Sequence, residues 1–372
     1  MRVALLSPRT PRAHAAGIEQ NILHVSQYLL RKGVSVEVFS TAEKPRGKYS
    51  LHGIPVREFS AFAPADNYFF SIPLFQSLKK WDGDIIHCNG YNNLVSVLGI
   101  TAKKKGQKLV FTLNSSGSSS MLRGLLHIPL AWFYRIHAKK IDHLVCVSRW
   151  EYEKLAPLFG LKKENVSIIP NGISLTEFAK KGNRKSGKIV SVGRLVKNKG
   201  MHRLINAFGR VHEEMPETEL HIVGDGPARH DLEQQVHAQG LTNAVFFHGN
   251  IGFEDREKLL VHYRTASVFS LLTDYESQGI VFAEAAAAEL PMVIPDKGVM
   301  HEYVEAGLAQ GVKNVDDSEE VARALIHALR SKPSAAKLKS LKFSKSFKPL
   351  IWDWEEVGEA VHQLYQHLVE ES

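Results

Sequence analysis

Thiols are scarce in this sequence: Cys88 and Cys146 are the 2 cysteines in 372 residues, and both fall inside apolar, strand-like runs. Two such thiols make neither a disulfide framework nor a cysteine metal site, and they suit a reducing, cytoplasmic compartment. No apolar run approaches about 18 residues, so no segment is expected to span a bilayer. Met1 leads straight into an apolar strand, without the basic n-region and cleavage site of a signal peptide. The G-x-G-x-x-G fingerprint is missing, and no acidic residue closes the second strand, which argues against nicotinamide dinucleotides. Aromatic residues are not interleaved with cations as in a single-strand groove, so nucleic acid is not an expected partner.

What is present is a globular composition, 44% hydrophobic and 23% charged, long enough for two ordinary domains. The net charge of +8 is unevenly spread. Residues 1–170 carry 23 Lys+Arg against 11 Asp+Glu, or +12, which leaves 24 against 28, or −4, for the remainder. The basic half points to an anionic membrane surface, nucleic acid or simple solubility, and the acidic half to a different partner.

The opening alternates strand (Val3–Ser7), helix (17–32) and strand (Val34–Ser40). Further apolar strands are expected at Asp84–Cys88, Leu109–Leu113, Leu144–Ser148 and Val166–Pro170, with a helix over Asn93–Lys104. Such uniformly apolar runs suit a parallel sheet covered on both faces. After Asn171-Gly172, a basic linker over 179–188 precedes a second alternating series. The expectation is an α/β chain of two tandem doubly wound Rossmann-like domains, over 1–175 and 176–349, facing across a cleft. An amphipathic helix over 350–372 is expected, either packed across the interface or as an ordinary terminal helix.

The second domain holds the densest chemistry. Leu271–Val299 carries Glu276 and Glu284 around Gly279, with a helix expected from Ala283. A helix N-terminus beside two carboxylates fits a ligand with phosphate and hydroxyl groups. A surface loop glutamate and a helix-favouring one would read the same way. Gly193-Arg194 and Lys199-Gly200 lie at a strand end, where cations can meet phosphate or simply solvent. Gly224-Asp225-Gly226 is a second glycine turn, able to admit a ligand or to close a tight bend.

In the first domain, Gly17 and Glu19 follow strand one at a helix start, and His87 ends a strand ahead of Asn89. His87 is a site candidate or a packed core residue. Asp82-Gly83-Asp84 has the look of a metal motif but precedes its strand, so it is read as a turn. The stretch 115–140, with Trp132, Phe133, Arg135, Lys139 and Lys140, is a basic helix able to lie on an anionic membrane, or a buried connector. Lys79-Lys80 and Lys103-Lys104-Lys105 would enlarge such a patch.

Taken together, Gly193-Arg194-Leu195 with Lys199-Gly200, Glu276 with Glu284 seven residues further on, Ile169-Pro170-Asn171-Gly172 and the Trp354 helix resemble a retaining glycosyltransferase of family four. The resemblance covers nearly the whole chain and implies the two-domain GT-B architecture, with the C-terminal helix crossing back to the first domain. It implies a nucleotide-diphosphate sugar, UDP- or GDP-linked, as co-substrate, with no cofactor and no metal. Arg194 and Lys199 would neutralise the diphosphate, Glu284 would take the ribose hydroxyls, and Glu276 would hold the transferred sugar. Gly17, Gly193, Gly224, Gly226, Ser277, Gln278, Gly279 and Ile280 would complete the donor site. Gly17, Glu19, His87, Asn89 and Asn114 would lie on the acceptor side.

The chain departs from the family pattern at three places: Asn114 replaces the usual histidine, Ala16-Gly17 the usual two glycines, and Glu276-Ser277-Gln278-Gly279 the usual Glu-Gly-Phe-Gly. Asn114 carries no charge and takes no proton. The expected activity is retaining transfer to a lipid-linked or cell-envelope glycan, at the inner face of a membrane. The rival readings are a nucleotide-sugar-binding subunit without catalysis and a nucleotide-sugar epimerase of the same architecture.

Overall fold

The computed structural model describes residues 1–10, 17–62, 69–115, 130, 132–178, 180, 182–252, 255–331 and 350–371. Two compact units result: Met1–Gly172 together with Trp352–Ser372, and Ile173–Ile351.

The first unit is built on strands β1 (Arg2–Ser7), β2 (Ser35–Ala42), β3 (Gly47–Leu51), β4 (Ile54–Ser60), β5 (Ile85–Asn89), β6 (Lys108–Thr112), β7 (His143–Cys146) and β8 (Val166–Ile168). Their order is β3-β4-β2-β1-β5-β6-β7-β8, parallel throughout except for the antiparallel β3–β4 pair. Helices α1 (Gly17–Arg31), α2 (Ile72–Lys80), α3 (Leu94–Ala102) and α4 (Arg149–Lys154) connect them. The order reverses beside β1, so the loops after β1 and β5 open at the point where ligands bind in such sheets.

The second unit has strands β9 (Lys188–Val192), β10 (Glu219–Val223), β11 (Val245–Phe247), β12 (Val268–Ser270), β13 (Met292–Pro295) and β14 (Ala309–Val312). Its helices are α5 (Leu175–Phe178), α6 (Met201–Glu214), α7 (Arg229–Ala238), α8 (Arg256–Thr265), α9 (Ile280–Ala287), α10 (Gly298–Glu305) and α11 (Ser318–Arg330). All six strands are parallel in the order β11-β10-β9-β12-β13-β14, so the switch falls between β9 and β12.

Helix α12 (Trp354–Glu370) ends the described chain yet belongs to the first unit. Asp353 and Glu356 form a capping box at its start. Its apolar stripe, Trp354, Val357, Val361, Tyr365 and Leu368, joins the core beneath α1 and one sheet face. Gly358 lets α1 come close, for a Cβ there would sit 2.2 Å from the Tyr28 ring. Gly172 does the same for Trp354, whose ring atoms would stand 2.8 Å from an added Cβ. The other sheet face packs under α2 and α3. Cys88 and Cys146 are buried in β5 and β7, and burial pushes both thiols up, with Glu151 adding to the rise at Cys146.

Three local features differ from the sequence expectation. Between β2 and β5 the chain adds the β3–β4 hairpin and α2. The hairpin turns on His52-Gly53, both at positive φ (49° and 83°), as a two-residue primed turn requires. Helix α2 is capped by Ser71, whose Oγ accepts from the Leu74 amide at 3.2 Å. Helix α9 begins at Ile280 rather than Ala283, because Gly279 at φ 73° supplies a left-handed N-cap three residues earlier.

Candidate active site

The loops after β9 and β12 lie side by side at the switch of the second sheet, and backbone contacts fix them. The Asp274 amide donates to the Asn198 carbonyl at 2.8 Å, and Thr273 Oγ1 donates to the same carbonyl at 3.2 Å. Gly200, at φ 70°, permits the approach: a Cβ would stand 2.0 Å from the Leu272 carbonyl oxygen. On the other flank, the Gly193 amide donates to Val223 at 3.0 Å and the Leu195 amide to Asp225 at 2.9 Å. Cβ atoms at Gly224 and Gly226 would meet the carbonyls of Gly193 and Leu195 at 2.0 and 2.4 Å. Those two glycines therefore close loop against loop. A Cβ at Gly193 would meet nothing closer than 3.8 Å.

This scaffold brings Lys199 and Glu276 into an ion pair, Nζ to Oε1, with 23% and 10% of each side chain exposed. Beside them, Arg203 pairs with Asp274 at 2.6 Å and fixes the loop from behind. Arg194 is exposed on the loop after β9. Ser277 is half-buried, Gln278 is buried, and Ile280 opens α9. The Tyr303 hydroxyl is buried with no hydrogen-bond partner among the described residues. Burial, then Glu302 and Glu276, raise its pKa.

Glu284 lies in the second turn of α9, with 4% of its side chain exposed. Arg256 Nη2 donates to its Oε1 at 2.7 Å and the Tyr263 hydroxyl to its Oε2 at 2.8 Å. Arg256 Nε also donates to Glu177 Oε2 at 3.0 Å. Burial opposes the charge on Arg256, but Glu284 and Glu177 outweigh it and raise its pKa. Burial, then Glu284, raise that of Tyr263. Each oxygen of Glu284 already accepts one bond and keeps capacity for another. Arg256, Tyr263 and Glu177 escape the sequence reading, because α5 and α8 are remote from α9 in the chain.

In the first unit, His87 is corrected from a site candidate to a core residue. It is 3% exposed, with Nδ1 against the Tyr365 hydroxyl and Nε2 2.7 Å from Thr112 Oγ1. Burial, then the neighbouring His143, push its pKa down to about 3, so the ring is neutral at neutral pH. Both nitrogens are engaged, and neither is offered to an acceptor. Asn89 is buried with its Oδ1 unpartnered among the described residues. Asn114 sits in the left-handed region at φ 43°, and its Oδ1 accepts from Asn171 Nδ2 at 3.2 Å. Asn171 Oδ1 in turn accepts from Asn21 Nδ2 on α1 at 2.9 Å. Gly17 opens α1, and Glu19 is buried in its first turn.

The turn reading of Asp82-Gly83-Asp84 holds, since Asp84 Oδ2 accepts from the Arg2 amide at 2.7 Å and Asp82 pairs with the Arg2 guanidinium. Of the basic stretch, residues 116–129 and 131 lie outside the described residues. Residues 132–136 are helical, with Trp132 68% and Ile136 52% exposed beside exposed Arg135 and Lys139. Lys103 does not extend that patch: it pairs with Asp142 and donates to the Lys140 carbonyl at 2.8 Å. Lys104 likewise donates to the Trp81 carbonyl at 2.7 Å. No helix among the described residues is long and apolar enough to cross a membrane.

Two parallel-sheet α/β units with a glutamate pair at the second sheet's switch point define a GT-B glycosyltransferase. The family model for glycosyltransferase family 4 matches residues 15–177, and that for group 1 glycosyl transferases matches residues 175–342. The chain belongs to this glycosyltransferase family. It is 24% identical over 375 residues to the GPI3 subunit of phosphatidylinositol N-acetylglucosaminyltransferase from Saccharomyces cerevisiae, covering 95% of this chain and 80% of that one. It is 26% identical over 311 residues to a glycogen synthase from Mycobacterium tuberculosis, covering 77% and 69%. Among solved structures, a sucrose-phosphate synthase from Thermosynechococcus elongatus shares the fold with a TM-score of 0.78 at 20% identity, over 100% of both chains. HepE from Anabaena, solved with UDP and glucose, gives 0.73 at 19% identity over 99% of this chain and 100% of that one.

Proposed function

We propose that this glycosyltransferase takes its sugar from a nucleotide diphosphate, with retention at the anomeric carbon. The observation that carries the reading is the Lys199–Glu276 pair at the β9–β12 switch, ahead of the α9 N-terminus. In the resting protein the ammonium is held by the carboxylate. A bound donor would draw Lys199, with Arg194, to the diphosphate and leave Glu276 for the sugar hydroxyls. Fixed cations aimed at the departing diphosphate supply the stabilisation a metal supplies elsewhere. The acceptor oxygen would bond to the anomeric carbon on the face the diphosphate leaves. Its proton would pass to a departing phosphate oxygen as the carbon–oxygen bond breaks. Glu276 then positions the sugar and is no nucleophile. Glu284, held by Arg256 and Tyr263, would accept from the ribose hydroxyls through its remaining lone pairs.

For the acceptor, a lipid-linked or cell-envelope glycan fits best, met at the cytoplasmic face of a membrane. The excess of cations in residues 1–170 and the exposed Trp132 and Ile136 beside Arg135 and Lys139 support this. So does the phosphatidylinositol acceptor named for the Saccharomyces cerevisiae relative.

The test is a thermal-shift screen against UDP, GDP, ADP and their sugars, with and without EDTA. One nucleotide should raise the midpoint, by an increment unchanged by EDTA and lost in Glu284→Ala. A nucleotide-induced shift that disappears in EDTA and returns with magnesium would overturn metal independence. No shift with any nucleotide would overturn the donor class.

A further inference from the structure

Away from the glutamate pair, three histidines of the second unit converge: His221 on β10, His248 just past β11, and His262 on α8. One ring nitrogen from each lies within 4.8 Å of the others. His221 Nδ1 and His248 Nε2 are 2.9 Å apart, and the His248 and His262 ring centroids 4.2 Å apart. Two imidazoles on one tetrahedral ion, at about 2.0–2.1 Å per bond, hold their nitrogens about 3.4 Å from each other. Side-chain adjustments of about an ångström would therefore seat all three on a single ion.

Two further observations point to a ligand here. His221 Nε2 is 2.9 Å from Glu219 Oε2. A proton donated to that carboxylate leaves Nδ1 as the lone-pair nitrogen turned towards the cluster, the relay that orients metal-bound histidines. The Nδ1 of His262 is buried and has no hydrogen-bond partner among the described residues. Lys188 opposes a cation nearby, and Glu219 offsets it.

We propose that His221, His248 and His262 form a site for a borderline divalent transition metal of the zinc class, with water as fourth ligand. The ion ties α8 to the sheet edge made by β10 and β11. Helix α8 also carries Arg256, six residues or about 9 Å before His262. The ion thus braces the helix that holds Glu284, without entering the transfer chemistry. Three imidazoles select zinc, cobalt or nickel over magnesium or calcium.

The experiment uses the full chain stripped with EDTA and dialysed, then titrated calorimetrically with zinc or cobalt chloride. One equivalent should bind, raise the melting midpoint and give the visible absorption of four-coordinate cobalt, while magnesium and calcium do nothing. His248→Ala, at an exposed position, and the conservative His262→Gln should each weaken binding at least tenfold. His237→Ala, outside the cluster, should not. Absence of a one-equivalent site, or equal affinity in His248→Ala and the unaltered protein, overturns the proposal.

Discussion

Arg256 and Glu284 form a buried ion pair, Nη2 to Oε1 at 2.7 Å, across two helices of the second unit. Tyr263 completes it from two turns further along α8. A buried pair adds little over a well-packed apolar pair, but removing one partner strands the other charge.

Arg256→Leu should therefore destabilise the second unit by about 3 kcal/mol, because the largely buried Glu284 carboxylate would lose its counter-ion. Glu284→Gln, which can keep the Tyr263 bond, should cost less. The double variant should recover part of the loss, with a coupling of about 1–3 kcal/mol in a cycle followed by far-ultraviolet circular dichroism. Strictly additive effects would show that the pair holds nothing together.

At the Lys199–Glu276 pair the expectation concerns rate. Lys199→Ala should lower kcat about 10²–10³-fold, the cost of losing one group aimed at developing charge. Glu276→Gln should lower kcat while nucleotide affinity changes little. Steady-state kinetics beside nucleotide titrations separate the two. A loss confined to KM in Lys199→Ala would place that cation in ground-state binding instead.

His87 makes the first unit acid-sensitive. Its folded pKa, about 3, lies below the 6.5 of an ordinary imidazole, so the unfolded chain takes up the proton first. Its contribution is fully present above about pH 6.5 and is lost as pH falls towards 3. Between pH 6.5 and 5 the loss should be about 1–2 kcal/mol. All 5 tryptophans (Trp81, Trp132, Trp150, Trp352 and Trp354) belong to the first unit. Urea unfolding followed by their fluorescence therefore isolates that unit. His87→Gln should show a flatter pH profile than the unaltered protein, and an equally steep one would exonerate His87. His143, also pushed down by burial, to about 4, keeps a residual slope in the variant.

The alternating architecture was legible because apolar runs and glycines at strand ends are local signals. The glutamate spacing was legible for the same reason: both carboxylates lie on one short segment around Gly279. What escaped depended on register and on which way a strand residue faces. His87 ends an apolar run in the sequence, but β5 turns its ring inward, towards Tyr365, from a helix far along the chain. The β3–β4 hairpin rests on two residues with positive φ, only one of them glycine. Arg256 and Tyr263 read as ordinary polar positions of a helix until α8 is laid beside α9. The three histidines lie 27 and 14 positions apart along the chain (248 − 221 and 262 − 248), and the β10–β11 register with the packing of α8 gathers them.

The order of synthesis has a consequence here. A ribosome releases Met1 to Gly172 first, but the stripe of Trp354, Val357, Val361 and Tyr365 that covers this part of the sheet is made only after the whole second unit. Until then the Tyr28 ring of α1, which packs on Gly358, and the His87 nitrogen that meets Tyr365 lack their cover. A nascent first unit would thus keep this face uncovered until α12 is made. The end of the chain closes its beginning, and a messenger cut short before Trp354 would yield a first unit with an open core for the cell to shield or degrade.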